Sequence, residues 1–431
     1  MRIKIKNATL LDLEEETTKI GQTVCVENGI ITFVGDDNNL FAVSFAFDRE
    51  IDFNGDVLLA GFVNAHAHNA MTLFRGLKDD VALDEWLYDN MLVIEKNLTP
   101  EDVYYGTVLG LLEGIKSGIT TNLDAYFFNE EIVRANVDVG TRVVCAVDAT
   151  TNENPDRRAF LGNSLKNLQS KFDCNRVGYI GYAHSIYTMD EQQLEDTLLF
   201  ANDFKFNLHI HLAETLNEVG ECYSKRNKTP VQYLEEIGFF ERPCLLAHAI
   251  HIDKDDYIIL QQHDVSIAHC PASNLKLGSG FAPVYGYMQN GINVCLGTDG
   301  PASNNSINMF REIYLAATLQ KAVYSDSTAV GAYQALKMAT VNGAKALGLN
   351  NVGLVKEGYK ADLIRISFNA VNMQPVNNYV SSVVYSCNPS NVTMTMVNGE
   401  IIYEDGKFTN GINVEEIIKK CQNALARLKK S

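Results

Sequence analysis

The chain has 431 residues, with 36 Lys and Arg against 53 Asp and Glu and a formal net charge of −17; 46% of it is hydrophobic and 21% charged. That composition supplies a sizeable buried core and excludes a mainly disordered chain. The acidic balance, with no basic stripe, excludes nucleic acid as a partner, and no run approaches the roughly 20 apolar residues that a membrane-spanning helix needs.

Residues 1–58 read as short strands. Arg2 to Ile5 alternates, and the opening lacks the apolar core of a signal peptide, so a cytoplasmic protein is expected. Val24 to Val26, then Asn28-Gly29, then Ile31 to Val34 is a hairpin signal. From 59 to 358 the texture changes. Strand-like runs (Val57 to Val63, Thr141 to Val147, Val177 to Tyr182, Phe206 to Leu212, Cys244 to Ala249, Val265 to Ala268, Asn293 to Gly297) alternate with helical stretches such as Asp102 to Lys116, Asp190 to Asp203, Thr229 to Ile237 and Asp253 to Gln262. Seven or eight β-then-α units predict a parallel (β/α)8 TIM barrel. Strand texture returns at Ala361 to Ile366, at Val392 to Val397 and, past Asn398-Gly399, at Ile401 to Tyr403. Residues 1–58 and 359–412 are therefore expected to share one small β-sandwich domain built from both chain ends. Residues 413–431 read as an amphipathic helix through Ile417, Ile418, Cys421, Ala424 and Leu428, a surface on which a homo-oligomer could form.

The nine cysteines are scattered and form no Cys-x-x-Cys pair. This excludes a disulfide framework and a cysteine zinc knuckle, so any metal must be held by histidines and carboxylates. Nine histidines nonetheless give His-x-His twice, at His66/His68 and His209/His211, each at the end of a strand-like run. Residues i and i+2 of a strand share a face, and the C-terminal ends of barrel strands carry the active site. His66 and His68 close one run, His211 a second and Asp299 a third. Three imidazoles and a carboxylate in one barrel mouth suit a divalent transition metal, zinc first and then iron, manganese or nickel. His209 sits deeper, as packing or support for a ligand. Glu214, three residues past His211, is placed to act as a general acid/base, and His248 to orient the attacking water. Trp86, the one tryptophan, flanks the mouth, where stacking on a base and core packing are both open to it.

Gly61-Phe62-Val63-Asn64-Ala65-His66-Ala67-His68, His211-Leu212-Ala213-Glu214, Ala247-His248, His269 to Asn274 and Gly297-Thr298-Asp299-Gly300 together resemble the amidohydrolase superfamily. Met71 to Gly76 with Glu85-Trp86-Leu87 is similar to its 5-methylthioadenosine/S-adenosylhomocysteine deaminase branch. The resemblance covers nearly the whole chain. It implies one metal ion on His66, His68, His211 and Asp299, with Glu214 on the purine ring, Glu95 on the ribose hydroxyls and His184 on the nucleoside. By itself Glu95 reads as a solvated helix-face charge. The branch also carries two arginines for the amino-acid tail of S-adenosylhomocysteine. The first position falls near Ala146-Val147, where there is none, and the second on Arg157 or Arg158, with Arg158 taken as the contact and the alignment crossing Asn152 to Pro155.

The expected activity is thus metal-dependent hydrolytic deamination of an adenine nucleoside (methylthioadenosine, S-adenosylhomocysteine, adenosine or deoxyadenosine), with Glu214, His248 and Asp299 catalytic. A second reading is hydrolysis of another amino- or chloro-substituted heterocycle of the cytosine, guanine or triazine type. A third is a scaffold that has lost catalysis. The runs Thr141 to Val147 and Val177 to Tyr182 contain no lysine, against the two-metal, carbamylated-lysine cyclic amidases.

Overall fold

A computed structural model describes residues 1–36, 46–147 and 156–430. The chain opens with β1 (Arg2–Asp12), β2 (Thr17–Glu27), β3 (Ile30–Asp36), β4 (Arg49–Asp52) and β5 (Val57–Ala60). The central strands are β6 (Phe62–Ala67), β7 (Ile119–Asp124), β8 (Arg142–Val147), β9 (Val177–Ser185), β10 (Leu208–Leu212), β11 (Cys244–His248), β12 (Val265–His269) and β13 (Asn293–Leu296). The chain returns through β14 (Leu363–Ile366), β15 (Val392–Val397), β16 (Glu400–Glu404) and β17 (Lys407–Phe408).

Strands from both ends form one mixed sheet in the order β17-β16-β15-β14-β5-β1-β2-β3, with β4 also paired to β1. Two of its hairpins turn at Asn28-Gly29 (φ 49° and 82°) and Asn398-Gly399 (φ 51° and 78°), the left-handed pair that a two-residue hairpin loop favours. The turns abut: a Cβ on Gly29 would lie 2.6 Å from the Asn398 carbonyl oxygen. The sheet curls until the Ile31 amide donates to Tyr359 O and the Gly358 amide to Ile31 O, both at 2.8 Å. The curl encloses Ile5, Val24, Ile31, Phe53, Leu58, Leu363 and Met396. The sandwich is thus one continuous sheet folded over its own core.

The run Val57 to Val63 does not stay together. Gly61 divides it, with β5 pairing in the small sheet and β6 opening the barrel. Strands β6 to β13 lie parallel in sequence order. The ring closes between β13 and β6: Thr298 N–H donates to Asn64 Oδ1 at 2.8 Å, Asn64 Nδ2 to Thr298 Oγ1 at 2.8 Å, and Asp299 N–H to His66 O at 3.0 Å. Gly297 permits this approach, since a Cβ there would meet the Cβ of His66 at 2.7 Å. No apolar run marks β7 in the sequence. Its Ile-Thr-Thr-Asn-Leu-Asp is entirely buried, yet polar enough to hide an apolar strand signal.

The small sheet is tied to the barrel by a buried ion pair. Arg142 on β8 donates through Nε to Asp362 Oδ2 at 2.8 Å and through Nη2 to Oδ1 at 3.1 Å, and Asn398 N–H donates to the same carboxylate. Both side chains are at most 4% exposed. Arg142→Ala strands that carboxylate and is expected to cost about 3–5 kcal/mol of unfolding free energy in a denaturant melt. A loss under about 1 kcal/mol, the range of an exposed pair, would contradict the role.

The helix Val414–Leu428 turns Ile417, Cys421, Ala424 and Leu428 onto the helix Pro100–Lys116. Lys420 pairs with Glu101 and Arg427 with Asp102. The apolar face that the sequence offered for self-association is therefore largely used within the chain. Among the described residues no helix is long and apolar enough to cross a membrane.

Candidate active site

The predicted ligands converge at the C-terminal ends of β6 and β10 and just past β13. His66 Nε2 lies 3.6 Å and His68 Nε2 3.5 Å from Asp299 Oδ1, and His211 Nε2 lies 3.4 Å from His68 Nε2. Tetrahedral ligands at bond lengths of about 2.0–2.2 Å sit about 3.3–3.6 Å apart, so these spacings suit donors that share one ion.

Hydrogen bonds behind the ligands fix their tautomers. His68 Nδ1 meets Ala125 O at 2.5 Å and His211 Nδ1 meets His184 O at 2.8 Å. A carbonyl only accepts, so each Nδ1 carries the proton and each Nε2 presents a lone pair. His66 is fixed through a relay. His209 Nδ1 donates to Leu245 O at 2.9 Å, which leaves His209 Nε2 to accept from His66 Nδ1, also at 2.9 Å. His66 Nε2 is buried and has no hydrogen-bond partner among the described residues. A fully buried nitrogen left bare beside a carboxylate fits a metal donor, and the backing shell is the kind that orients metal-bound histidines. Burial pushes His66 down to about 4 and His211 well below the ordinary histidine range, which keeps both rings neutral as ligation requires.

Asp299 is aimed from its other side. Ser273 Oγ and Ser303 Oγ donate to its Oδ2 at 2.5 and 2.9 Å, and Gly300 N–H donates to Oδ1 at 2.6 Å. Burial works against its ionisation, yet the His66 imidazole and, after it, His248 hold its carboxyl well below the usual range. Ala213, His248, Ala249 and Asp299 all have left-handed φ between 45° and 69°. Such residues are uncommon outside glycine, and here they cluster where strands release their last side chains into the mouth.

Glu214 and His248 face one another, Oε2 to Nε2 at 3.9 Å, with Glu214 4% and His248 1% exposed. Burial raises the Glu214 carboxyl, and His248 partly opposes it. Burial would lower His248, but the Glu214 and Asp299 carboxylates outweigh it and raise the ring. His248 Nδ1 donates to Asn274 Oδ1 at 2.8 Å, which fixes the ring plane.

Above these groups opens a cavity of about 500 Å3, lined among others by His68, His184, His211, Glu214, His248 and Asp299. The wall also carries Trp86, Glu95, Tyr126, Tyr187 and Arg157, with Met71, Leu83, Leu87, Leu92, Phe127 and Leu277 as apolar surface. Trp86 is buried at 6% exposure against this wall. Glu95, which by pattern alone reads as a solvated charge, instead faces the cavity and accepts a short hydrogen bond from the Tyr126 hydroxyl. His184 holds its ring with Nδ1 2.8 Å from Thr188 Oγ1.

Arg158 requires a correction. Its guanidinium reaches outward to Asp203, Nε to Oδ2 at 2.7 Å, with about half of each side chain exposed. Arg157, one residue earlier and about 100° round the same helix, lines the cavity instead. The stretch Asn152 to Pro155, which the alignment crossed, lies outside the described residues. Sequence reasoning also missed Tyr126. It follows β7 by two residues, so finding that strand would have placed it at the mouth.

Burial raises Glu95 to about 7, partly offset by the Tyr126 hydroxyl. The folded protein therefore holds a proton that the unfolded chain releases between about pH 4.5 and 7, and stability falls as pH rises through that window. Glu95→Gln removes the ionisation. Its melting temperature relative to the parent is expected to rise between pH 5 and pH 8; an unchanged difference would contradict the assignment.

Comparison with known proteins agrees with this geometry. The model of the amidohydrolase family matches residues 57–402. A 5-methylthioadenosine/S-adenosylhomocysteine deaminase of Acetivibrio thermocellus is 40% identical over 97% of this chain and 99% of its own length. A 5'-deoxyadenosine deaminase of Methanobrevibacter smithii is 37% identical over 100% of this chain and 98% of its own. Among solved structures, an adenosine deaminase from Xanthomonas campestris with bound zinc superposes with a TM-score of 0.94 at 28% identity, covering 100% of this chain and 99% of that one.

Proposed function

Because the chain belongs to the amidohydrolase family, and within it to the 5-methylthioadenosine/S-adenosylhomocysteine deaminase branch, we propose that it hydrolyses the C6 amino group of an adenine nucleoside, giving the inosine analogue and ammonia. It is a hydrolase of carbon–nitrogen bonds in cyclic amidines. The observation that carries the substrate reading is the juxtaposition of the buried Glu214–His248 pair with the cluster of imidazoles and Asp299, at the floor of a cavity large enough for a nucleoside.

His66, His68, His211 and Asp299 would hold one divalent cation, zinc by the nature of the donors. Such an ion supplies positive charge that brings the pKa of an attacking water to about 7. The chain's own groups move the protons. Asp299 accepts one from the water as its oxygen bonds to C6, and His248 donates a hydrogen bond to that oxygen. Glu214 delivers its proton to a ring nitrogen, so the tetrahedral carbon forms on a neutral ring. The proton on Asp299 passes to the exocyclic amine, the C6–N bond breaks and ammonia leaves, while the C6 hydroxyl gives its remaining proton back to the Glu214 carboxylate and becomes the carbonyl. Further up the wall, Glu95 accepts from the ribose hydroxyls and His184 contacts the nucleoside.

The apolar wall and the lack of an arginine at Ala146-Val147 favour a small uncharged 5' substituent over an amino-acid tail, with Arg157 as the cavity's guanidinium. Ammonia release is the test, measured on adenosine, 5'-deoxyadenosine, methylthioadenosine, S-adenosylhomocysteine, guanine and cytosine. Turnover of the adenine nucleosides, with the first three ahead of S-adenosylhomocysteine, is expected. Activity confined to guanine or cytosine would overturn the proposal.

A further inference from the structure

The turn that presents Glu214 is secured by a second buried carboxylate outside the cavity wall. Strand β10 ends at Leu212, and Ala213 takes φ 50°, which swings the chain so that Glu214 meets His248. That turn leaves two successive amides without strand partners. Glu218 takes both: Ala213 N–H donates to its Oε1 and Glu214 N–H to its Oε2, each at 2.8 Å. Glu218 is 3% exposed. A carboxyl that accepts two amides in this way makes bonds of fixed direction, and these offset part of the cost of its burial.

The local sequence disguises this arrangement. Thr215-Leu216-Asn217-Glu218 has the Thr-x-x-Glu spacing of a capping box, in which the glutamate would return to the amide of the threonine. Thr215 does its half, accepting Glu218 N–H at 3.1 Å and starting the helix Leu216–Arg226. The carboxylate of Glu218 instead reaches past the cap to the two preceding residues. The carbonyl side of the same turn is held as well. Ile250 N–H and His251 N–H both donate to Ala213 O, at 2.9 and 3.0 Å, and Ala249 N–H donates to Leu212 O at 3.0 Å. Those donors belong to the left-handed turn at His248-Ala249. The Ala213 peptide is thus clamped between Glu218 and the His248 turn, next to the side chain of Glu214, which stands 3.9 Å from His248.

We propose that Glu218 is a positioning residue for the reaction: it fixes the backbone of Glu214 so that the acid stands in line with the purine ring, and it touches neither metal nor substrate. The inference rests on the general-acid reading of Glu214, and a double-mutant cycle separates the two. Glu218→Ala is expected to lower kcat by about ten- to a hundred-fold with KM and metal content little changed, the scale of a displaced catalytic group. Glu218→Gln, which keeps one acceptor, should recover part of the loss and guards against a misfolded alanine variant. In a Glu214→Gln background, removing Glu218 should cost less than about two-fold more, because a residue acting through another loses its effect with it. An equal loss in both backgrounds, or a loss that tracks metal content, would overturn the positioning role while leaving Glu214 as the acid. Full activity of Glu214→Gln alone would overturn both.

Discussion

Glu214→Gln is expected to lower kcat by about 10²–10⁴-fold, the usual worth of one positioned proton transfer, while bound metal and folding stay as in the parent. The amide keeps the size and one acceptor of the carboxyl but has no proton to give. Burial raises the Glu214 carboxyl, the direction that favours its acting as the acid that protonates the ring. Without it, attack at C6 would leave negative charge on the ring nitrogen in a cavity where charge is poorly solvated. Metal analysis and kcat on methylthioadenosine check the prediction together. Loss of both metal and activity would move Glu214 to the ligand set, and unchanged kcat would remove it from the mechanism.

The second large effect is expected at the ligands. His211→Ala should abolish tight metal binding and lower activity by more than about 10³-fold, since attack at neutral pH depends on a water brought to a pKa of about 7. The neighbouring groups make the result specific. His211 is held by the His184 carbonyl, and His68 by that of Ala125. With His211 gone, His68 cannot turn to replace the missing nitrogen without breaking its own bond. His209→Ala tests the relay behind His66. It frees the His66 ring to flip, and affinity for metal is expected to fall about 10–100-fold, the range for residues that orient a ligand. Chelator competition reads both, and a His209 variant that binds metal like the parent would show that the relay does not hold the tautomer.

Much of this site is legible in the sequence because barrels concentrate chemistry at strand ends. His66, His68, His211, His248 and Asp299 each close an apolar run, and the structure gathers His66 with His211 and His248 on one side and with His68 and Asp299 on the other. What the sequence conceals follows from geometry that spacing does not encode. The run Val57 to Val63 is uniformly apolar, so nothing in its composition reveals that Gly61 hands the chain from one sheet to another. The polar interior of a barrel hides β7 and with it Tyr126. Arg157 and Arg158 are chemically identical neighbours, and only the phase of their helix sends one into the cavity and the other to Asp203. Glu95 is misread by pattern because Leu92–Glu95 runs on from the π-helical turns Glu85–Met91, whose wider winding breaks the 3.6-residue period by which a buried face is read. Glu218 is misread because its spacing matches a helix cap.

Titration of zinc into metal-stripped protein, with ammonia release from methylthioadenosine as the readout, tests the central claim most directly. Activity is expected to climb in proportion to added cation and level off at one equivalent per chain. Undiminished turnover by the stripped protein, or a plateau only at two equivalents, would contradict a single ion held by His66, His68, His211 and Asp299.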